Sequence, residues 1–143
     1  MIRSQLDAEA SPHTLHELLV DVDAWPLWSP HVASLDAPSR RITPGWVGRP
    51  RAFFAPMAVA MEVDRVDDDG GYLWHSTLGP WRLDYSNRVW PNADGGSTVA
   101  FSATLSGPAA AVLERIVGPV SAWGQRRRIA RLVQLGALVE RST

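Results

Sequence analysis

The sequence predicts an α+β fold: a curved antiparallel β-sheet wrapped around a long C-terminal α-helix. Three observations carry this. First, apolar and polar residues alternate over Met57–Val66, Trp81–Trp90 and Thr98–Leu105. That period of two marks strands with one buried and one wet face. Second, the intervening turns are short and rich in Gly, Pro, Asn and Asp, so neighbouring strands pair antiparallel. Third, the period changes after Pro108. Ile129, Leu132, Val133 and Gly136 then form an apolar stripe at helical spacing, which the sheet must cover.

The elements follow in order. Ile2–Ala8 reads as a first strand. Ser11 is a good N-cap, because its hydroxyl can accept from an orphan backbone N–H. Pro12 fits the first helical position, where a missing N–H costs nothing. Leu15, Leu18, Leu19 and Val22 form one helix face over Ser11–Val22. Trp25-Pro26-Leu27-Trp28 is expected to stop that helix, since a residue before proline avoids the α region. His31–Ala37, Trp46–Phe54, Met57–Val66, Tyr72–Leu78, Trp81–Trp90 and Thr98–Leu105 are the remaining candidate strands. Asp67-Asp68-Asp69-Gly70-Gly71 and the segment from Pro91 to Gly96 are turns by composition. Ala109–Val117 and Val120–Glu140 read as two helical segments, with a break or kink expected at Gly118-Pro119.

The stretch Asp7–Val32 resembles the opening of the START-like (SRPBCC) superfamily, and is most similar to its polyketide cyclase/dehydrase-like branch. The resemblance rests on a strand at Ile2–Leu6, the Asp7-Ala8 step, a helix, and the Asp21-x-x-x-Trp25-Pro26-x-Trp28 corner. The Gly95–Thr98 hairpin and the long helix after Ser106-Gly107-Pro108 agree with it. It implies a helix-grip fold over one domain, residues 1–143, with a ligand cavity between sheet and C-terminal helix. Lipid transport is among the roles it implies. It does not select an activity, because the superfamily spans binders, carriers and cyclases.

Composition narrows the classes. The chain has 143 residues, with 14 basic and 15 acidic side chains. It is long enough for one core, and its near-neutral charge argues against a nucleic-acid partner. Cysteine and lysine are both absent. That excludes disulfides, thiolate metal sites, Schiff bases and P-loop chemistry. A cytoplasmic location is expected, with no signal peptide, because polar and apolar residues alternate from Ile2 onward. No apolar run nears the roughly 20 residues of a membrane span, so stable membrane insertion is not expected. No histidine pair has metal spacing; His13 and His16 read as the solvated side of the first helix. No metal and no cofactor is expected. Seven tryptophans can fill a core or line a cavity.

Alternation assigns the candidate site. Met57, Val59 and Met61 share a sheet face with Trp74, Leu83, Tyr85, Val99 and Phe101, opposite Ile129 and Val133 of the helix. This face is plain core, or else a cavity whose Met and aromatic walls adapt to an apolar guest. The resemblance favours the cavity and places Trp28 near its mouth; the shared parity of Met57, Met61, Trp74, Tyr85 and Phe101 predicts a pocket of the ordinary small-molecule size, roughly 300–1,000 Å³. Tyr85 and Asn87 share the parity of Leu83, so a phenol and an amide face inward. They either orient a ligand or close a core network on themselves. His75 has the opposite parity to Trp74 and points outward unless a bulge intervenes. Arg49 and Arg51 flank Pro50, which makes their parity unreliable; an inward arginine could bind an acidic oxygen. His31 lies beside the expected mouth. The cluster Arg126–Arg128 reads as a solvated helix face that could also meet an anionic ligand, an RNA phosphate or another subunit.

The leading expectation is therefore a binder of a small hydrophobic or aromatic metabolite. A second is a polyketide aromatase/cyclase that positions a poly-β-keto chain and moves one proton with Tyr85, His31, His75 or Arg51. A third is a protein-interaction role through an apolar patch at the Trp corner. None of these settles the oligomeric state.

Overall fold

A computed structural model of the chain describes residues 1–29, 32–37, 39–52 and 59–143, with backbone alone at 32–36, 51 and 52. The described chain runs β1 (Ile2–Ala8), α1 (Pro12–Val20), a 3₁₀ turn (Val22–Ala24), α2 (Trp25–Trp28), β2 (Val32–Asp36), β3 (Val47–Ala52), β4 (Met61–Asp67), β5 (Gly71–Leu78), β6 (Trp81–Pro91), β7 (Ser97–Ser106) and α3 (Ala110–Arg141). Seven strands form one antiparallel sheet in the order β1-β7-β6-β5-β4-β3-β2. The helices pack on one face of it. This is the expected α+β helix-grip architecture.

Local chemistry explains the start. Ser11 Oγ accepts from the Thr14 N–H at 3.3 Å, and Pro12 opens α1. Leu15 and Leu19 are buried, as the helix face requires, and Leu18 packs against them; α1 ends at Val20, short of the expected Val22, which is buried in the 3₁₀ turn that follows. The Trp corner differs from expectation. Trp25 is helical (φ −53°, ψ −42°), and Pro26 lies in the first turn of a further helical turn, α2. Proline is harmless there because first-turn N–H groups have no helical acceptor. The two indoles then donate to the last carbonyls of α1: Trp25 Nε1 to Leu19 O at 2.8 Å and Trp28 Nε1 to Leu18 O at 3.2 Å. Large aromatics thus cap a helix end while filling the core.

His16 is also a correction. It is buried rather than solvated, and its Nδ1 accepts from the Gly71 N–H at 3.0 Å. His13 is exposed as expected, and bonds Asp69 at 2.8 Å. The β4–β5 turn is therefore docked on α1. Gly71 sits at φ +84°, and a Cβ there would run into the Asn87 carbonyl.

The C-terminal helix does not break at Gly118-Pro119. It runs unbroken from Ala110 to Arg141 with Pro119 inside it. Proline removes the donor to the Arg115 carbonyl and its ring crowds that carbonyl, but both residues are exposed, so the carbonyl can tilt outward and bond to water. Farther along, Gly136 lets α3 cross α1 closely. A Cβ there would lie 2.7 Å from Leu15 Cδ2 and 3.2 Å from Ala10 Cβ. No helix among the described residues is long and apolar enough to cross a membrane.

Candidate functional site

Cross-strand register sorts the inner sheet face into rows. One row is Ser4–Phe101–Asn87–Tyr72, and the next is Ile2–Ala103–Tyr85–Trp74. Beyond that, Leu105 pairs with Leu83, and Leu83 with Ser76. The Phe101 row is closed. Phe101 meets Trp28 edge-on at 5.9 Å, Trp28 meets Trp25 at 6.3 Å, and Ile129 and Leu132 of α3 are buried with them.

The Tyr85 and Leu83 rows are open. Two adjoining pockets, about 380 and 530 Å³, lie between them and the first half of α3. Leu83, Tyr85, Leu105 and Val117 line both. The smaller runs under α3 toward Ile2, Gly124, Gln125 and Arg128. The larger runs outward to Val59, Trp74, Trp81 and Leu113.

Tyr85 stands at the junction. Its ring stacks on Trp74 at 4.0 Å with the planes 6° apart. Trp74 is held in turn by its indole N–H, which donates to Asn87 Oδ1 at 2.7 Å. Burial raises the pKa of the Tyr85 phenol, with the nearby Arg128 charge opposing. The phenol therefore keeps its proton at neutral pH and can donate it in a hydrogen bond.

The charged groups of the smaller pocket differ in kind. Glu114 is already engaged: it accepts from the Leu105 N–H at 2.8 Å and from the Met1 nitrogen at 2.9 Å, which together lower its pKa. Gln125 is engaged as well. It accepts from Ser4 Oγ at 3.1 Å and donates to the Ile2 carbonyl at 3.3 Å, tying β1 to α3. Arg128 is not. Its Nε makes a long 3.4 Å contact to the Gly124 carbonyl, and its guanidinium lies 5.8 Å from the Phe101 ring centre. No carboxylate among the described residues lies within 4.0 Å of it. Desolvation lowers its pKa, yet a guanidinium starts so high that it stays charged.

The expected site residues divide accordingly. Val59, Trp74, Leu83 and Tyr85 line the pockets. Met61, Val99, Phe101 and Ile129 are core, and Val133 packs against that core. Trp28, expected at the mouth, is core too. Asn87 is buried and engaged by Trp74. His75 is on the outer face, as its parity indicates, 2.8 Å from Asp64 and 3.6 Å from Glu62. Arg51 pairs through its backbone with Ser34; its side chain, like His31 and Met57, lies outside the described residues. Among the described residues no cluster of His, Asp or Glu could hold a metal ion.

Sequence reasoning did not place Leu105, Val117 or Gly124 in the site, and it favoured a solvated helix face for Arg128 over an anionic ligand. For Arg128 a signal existed. It lies three residues after Gln125 and four before Leu132, on the stripe that faces the sheet. Reading Arg126–Arg128 as one charged block hid that position.

No protein-family model and no curated protein matches the chain. Solved structures do. A hypothetical protein of Helicobacter pylori superposes with a TM-score of 0.79 at 13% identity, covering 94% of this chain and 86% of that one. Ara h 8.0201 gives 0.64 at 16% identity over 92% and 96%. DynU16, from the dynemicin biosynthetic locus, gives 0.69 at 18% identity; it covers 93% of this chain, which spans only 45% of DynU16. At these identities the likeness is one of fold alone, the helix-grip fold.

Proposed function

We propose that this protein binds a small hydrophobic or aromatic metabolite between β5–β7 and the first half of α3. One observation carries the reading: the Tyr85 and Leu83 rows leave unfilled, mostly apolar volume where the neighbouring Phe101 row is packed. Pockets of about 380 and 530 Å³ fall in the range of small-molecule sites, roughly 300–1,000 Å³. The likeness to DynU16, from the dynemicin biosynthetic locus, is compatible with a small-metabolite use of the fold by analogy. A neutral fluorescent probe, N-phenyl-1-naphthylamine, tests it. The probe should bind, quench tryptophan emission and raise the melting temperature. Gly124→Leu should abolish binding without unfolding the protein, because an added Cβ at Gly124 meets nothing within 4 Å. Glu62→Ala, on the outer face, should leave binding unchanged. Equal binding by wild type and Gly124→Leu would move the site elsewhere.

A second reading is an aromatase/cyclase of the polyketide cyclase/dehydrase-like branch. It is favoured by one observation, the protonated Tyr85 phenol at the junction of the two pockets. There the protein would hold a polyketone and the phenol would donate a hydrogen bond or proton to a developing enolate. Tyr85→Phe separates the readings. A cyclase should lose roughly 100-fold or more in turnover, whereas a binder should lose only about 0.5–1.5 kcal/mol of affinity.

A further inference from the structure

We infer that the guest of this pocket is an anionic amphiphile: an aromatic or alicyclic body bearing one carboxylate-like group, which Arg128 receives under α3. The inference deepens the binding reading above and rests on it. The smaller pocket holds two formal charges, and among the described residues only one of them has a partner of opposite charge. Glu114 is neutralised by a backbone N–H and the Met1 nitrogen. Arg128 faces the same space with five N–H donors, one long contact to a backbone carbonyl, and the aromatic face of Phe101.

Arg128 is half-buried, and taking even part of a guanidinium out of water without a partner charge is costly. A protein that gained nothing from it would do better with methionine or leucine at this helix position. The cost makes sense where a ligand completes the pair. A carboxylate matches the planar guanidinium fork and can accept two parallel N–H bonds. Tyr85 adds a neutral O–H donor from the opposite wall, and its burial keeps that proton in place. Beyond Tyr85 the lining turns apolar, with Leu83, Leu105 and Val117 continuing into the larger pocket beside Trp74. A cation at the inner end and an aromatic, aliphatic slot at the outer end describe the guest's polarity and its orientation.

The test compares 2-naphthoate with 2-naphthamide, of nearly the same shape but uncharged. N-phenyl-1-naphthylamine serves as the neutral reference. Wild type should prefer naphthoate. Arg128→Met should lose roughly tenfold or more in naphthoate affinity, the scale of a hydrogen bond to a charged group, and keep naphthamide within about threefold. Arg128→Lys should retain most of the preference, because it keeps the charge. Ligand-free Arg128→Met should melt no lower than wild type, since it removes a half-buried charge that has no acidic partner among the described residues. A marked fall in melting temperature would assign Arg128 to the fold rather than to a ligand. Equal naphthoate and naphthamide affinities in wild type, or equal losses of both in Arg128→Met, would overturn the anionic guest and leave the pocket reading standing, provided the neutral reference still binds. If no probe binds wild type, both fall. Should Arg128→Met not fold, the wild-type ligand pair and Arg128→Lys still decide the matter.

Discussion

The two ends of the groove between sheet and helix share the same strands and the same α3, yet one is filled and the other is not. The filled end contains Phe101, Trp28, Ile129 and Leu132. The open end contains Leu83, Tyr85, Leu105 and Arg128. Strand composition does not separate them, since both rows carry aromatic and aliphatic residues. The difference is a third layer. Helices α1 and α2 pack against α3 at the filled end, bringing Leu15, Leu19, Trp25 and Trp28 into the space between helix and sheet. Two glycines of α3 register the contrast. At Gly136 a Cβ would press on Leu15 and Ala10, while at Gly124 it would meet nothing. The filled end provides stability, and the open end is free to hold something else, a division that follows from where the short helices stop.

The contrast predicts unequal responses to the same kind of damage. Phe101→Ala removes a fully buried ring from a well-packed row and should cost about 3–5 kcal/mol. Leu105→Ala trims a half-buried side chain that faces space already empty. It should cost no more than about 2 kcal/mol, because it creates little new cavity. Urea unfolding of the two variants measures the difference. Similar losses at both positions would mean that the open end is packed in solution and that the distinction is false. Probe affinity should move the other way, falling for Leu105→Ala and holding for Phe101→Ala under conditions where that variant stays folded.

Much of the fold was legible in the sequence but the contrast between the two ends was not, and the reason is physical. The capped α1, the alternation of β6 and β7 and the inward parity of Tyr85 follow from local periodicity and capping chemistry. These depend on a few neighbouring residues. Parity tells which face a side chain takes, but not whether a helix covers it. Hence Met61, Val99 and Phe101 shared a face with Leu83 and Tyr85, and only tertiary packing divided them between core and pocket. The Trp25-Pro26 step looked like a stop because the preference of a pre-proline residue is local. Two indole N–H groups reaching back to α1 overrode it. Arg128 is the most instructive case. Three successive arginines suggest one solvated face, yet consecutive helical residues project about 100° apart. One of the three therefore turns toward the sheet, and the charge run concealed that Arg128 lines the smaller pocket.

The smallest expected effect tests whether α1 is what closes the filled end. His16 Nδ1 accepts from the Gly71 N–H, so this bond requires a neutral ring. Burial lowers its pKa below the ordinary value of 6.5; Asp69 and Glu17 oppose that shift, while Arg41 and His13 add to it. With the folded pKa below the unfolded one, the unfolded chain takes up the proton first as pH falls. The contribution of His16 is therefore fully present above pH 6.5 and declines below it, until the native ring also protonates. Nearby His13 has the opposite sign. Asp69 raises its pKa, so its contribution is present below 6.5 and lost as pH rises through the raised value. It is a surface pair, open to screening by salt. Measured in high salt, wild type should lose stability between pH 7.5 and 5 relative to His16→Gln, which keeps an acceptor that does not titrate. The loss should also appear first as faster amide exchange in α1 and the β4–β5 turn, with β6 and β7 still protected. Parallel pH profiles for the two proteins would mean that the His16–Gly71 bond does not hold α1 in place, and the closure of the filled end would then rest on the Trp25 and Trp28 contacts alone.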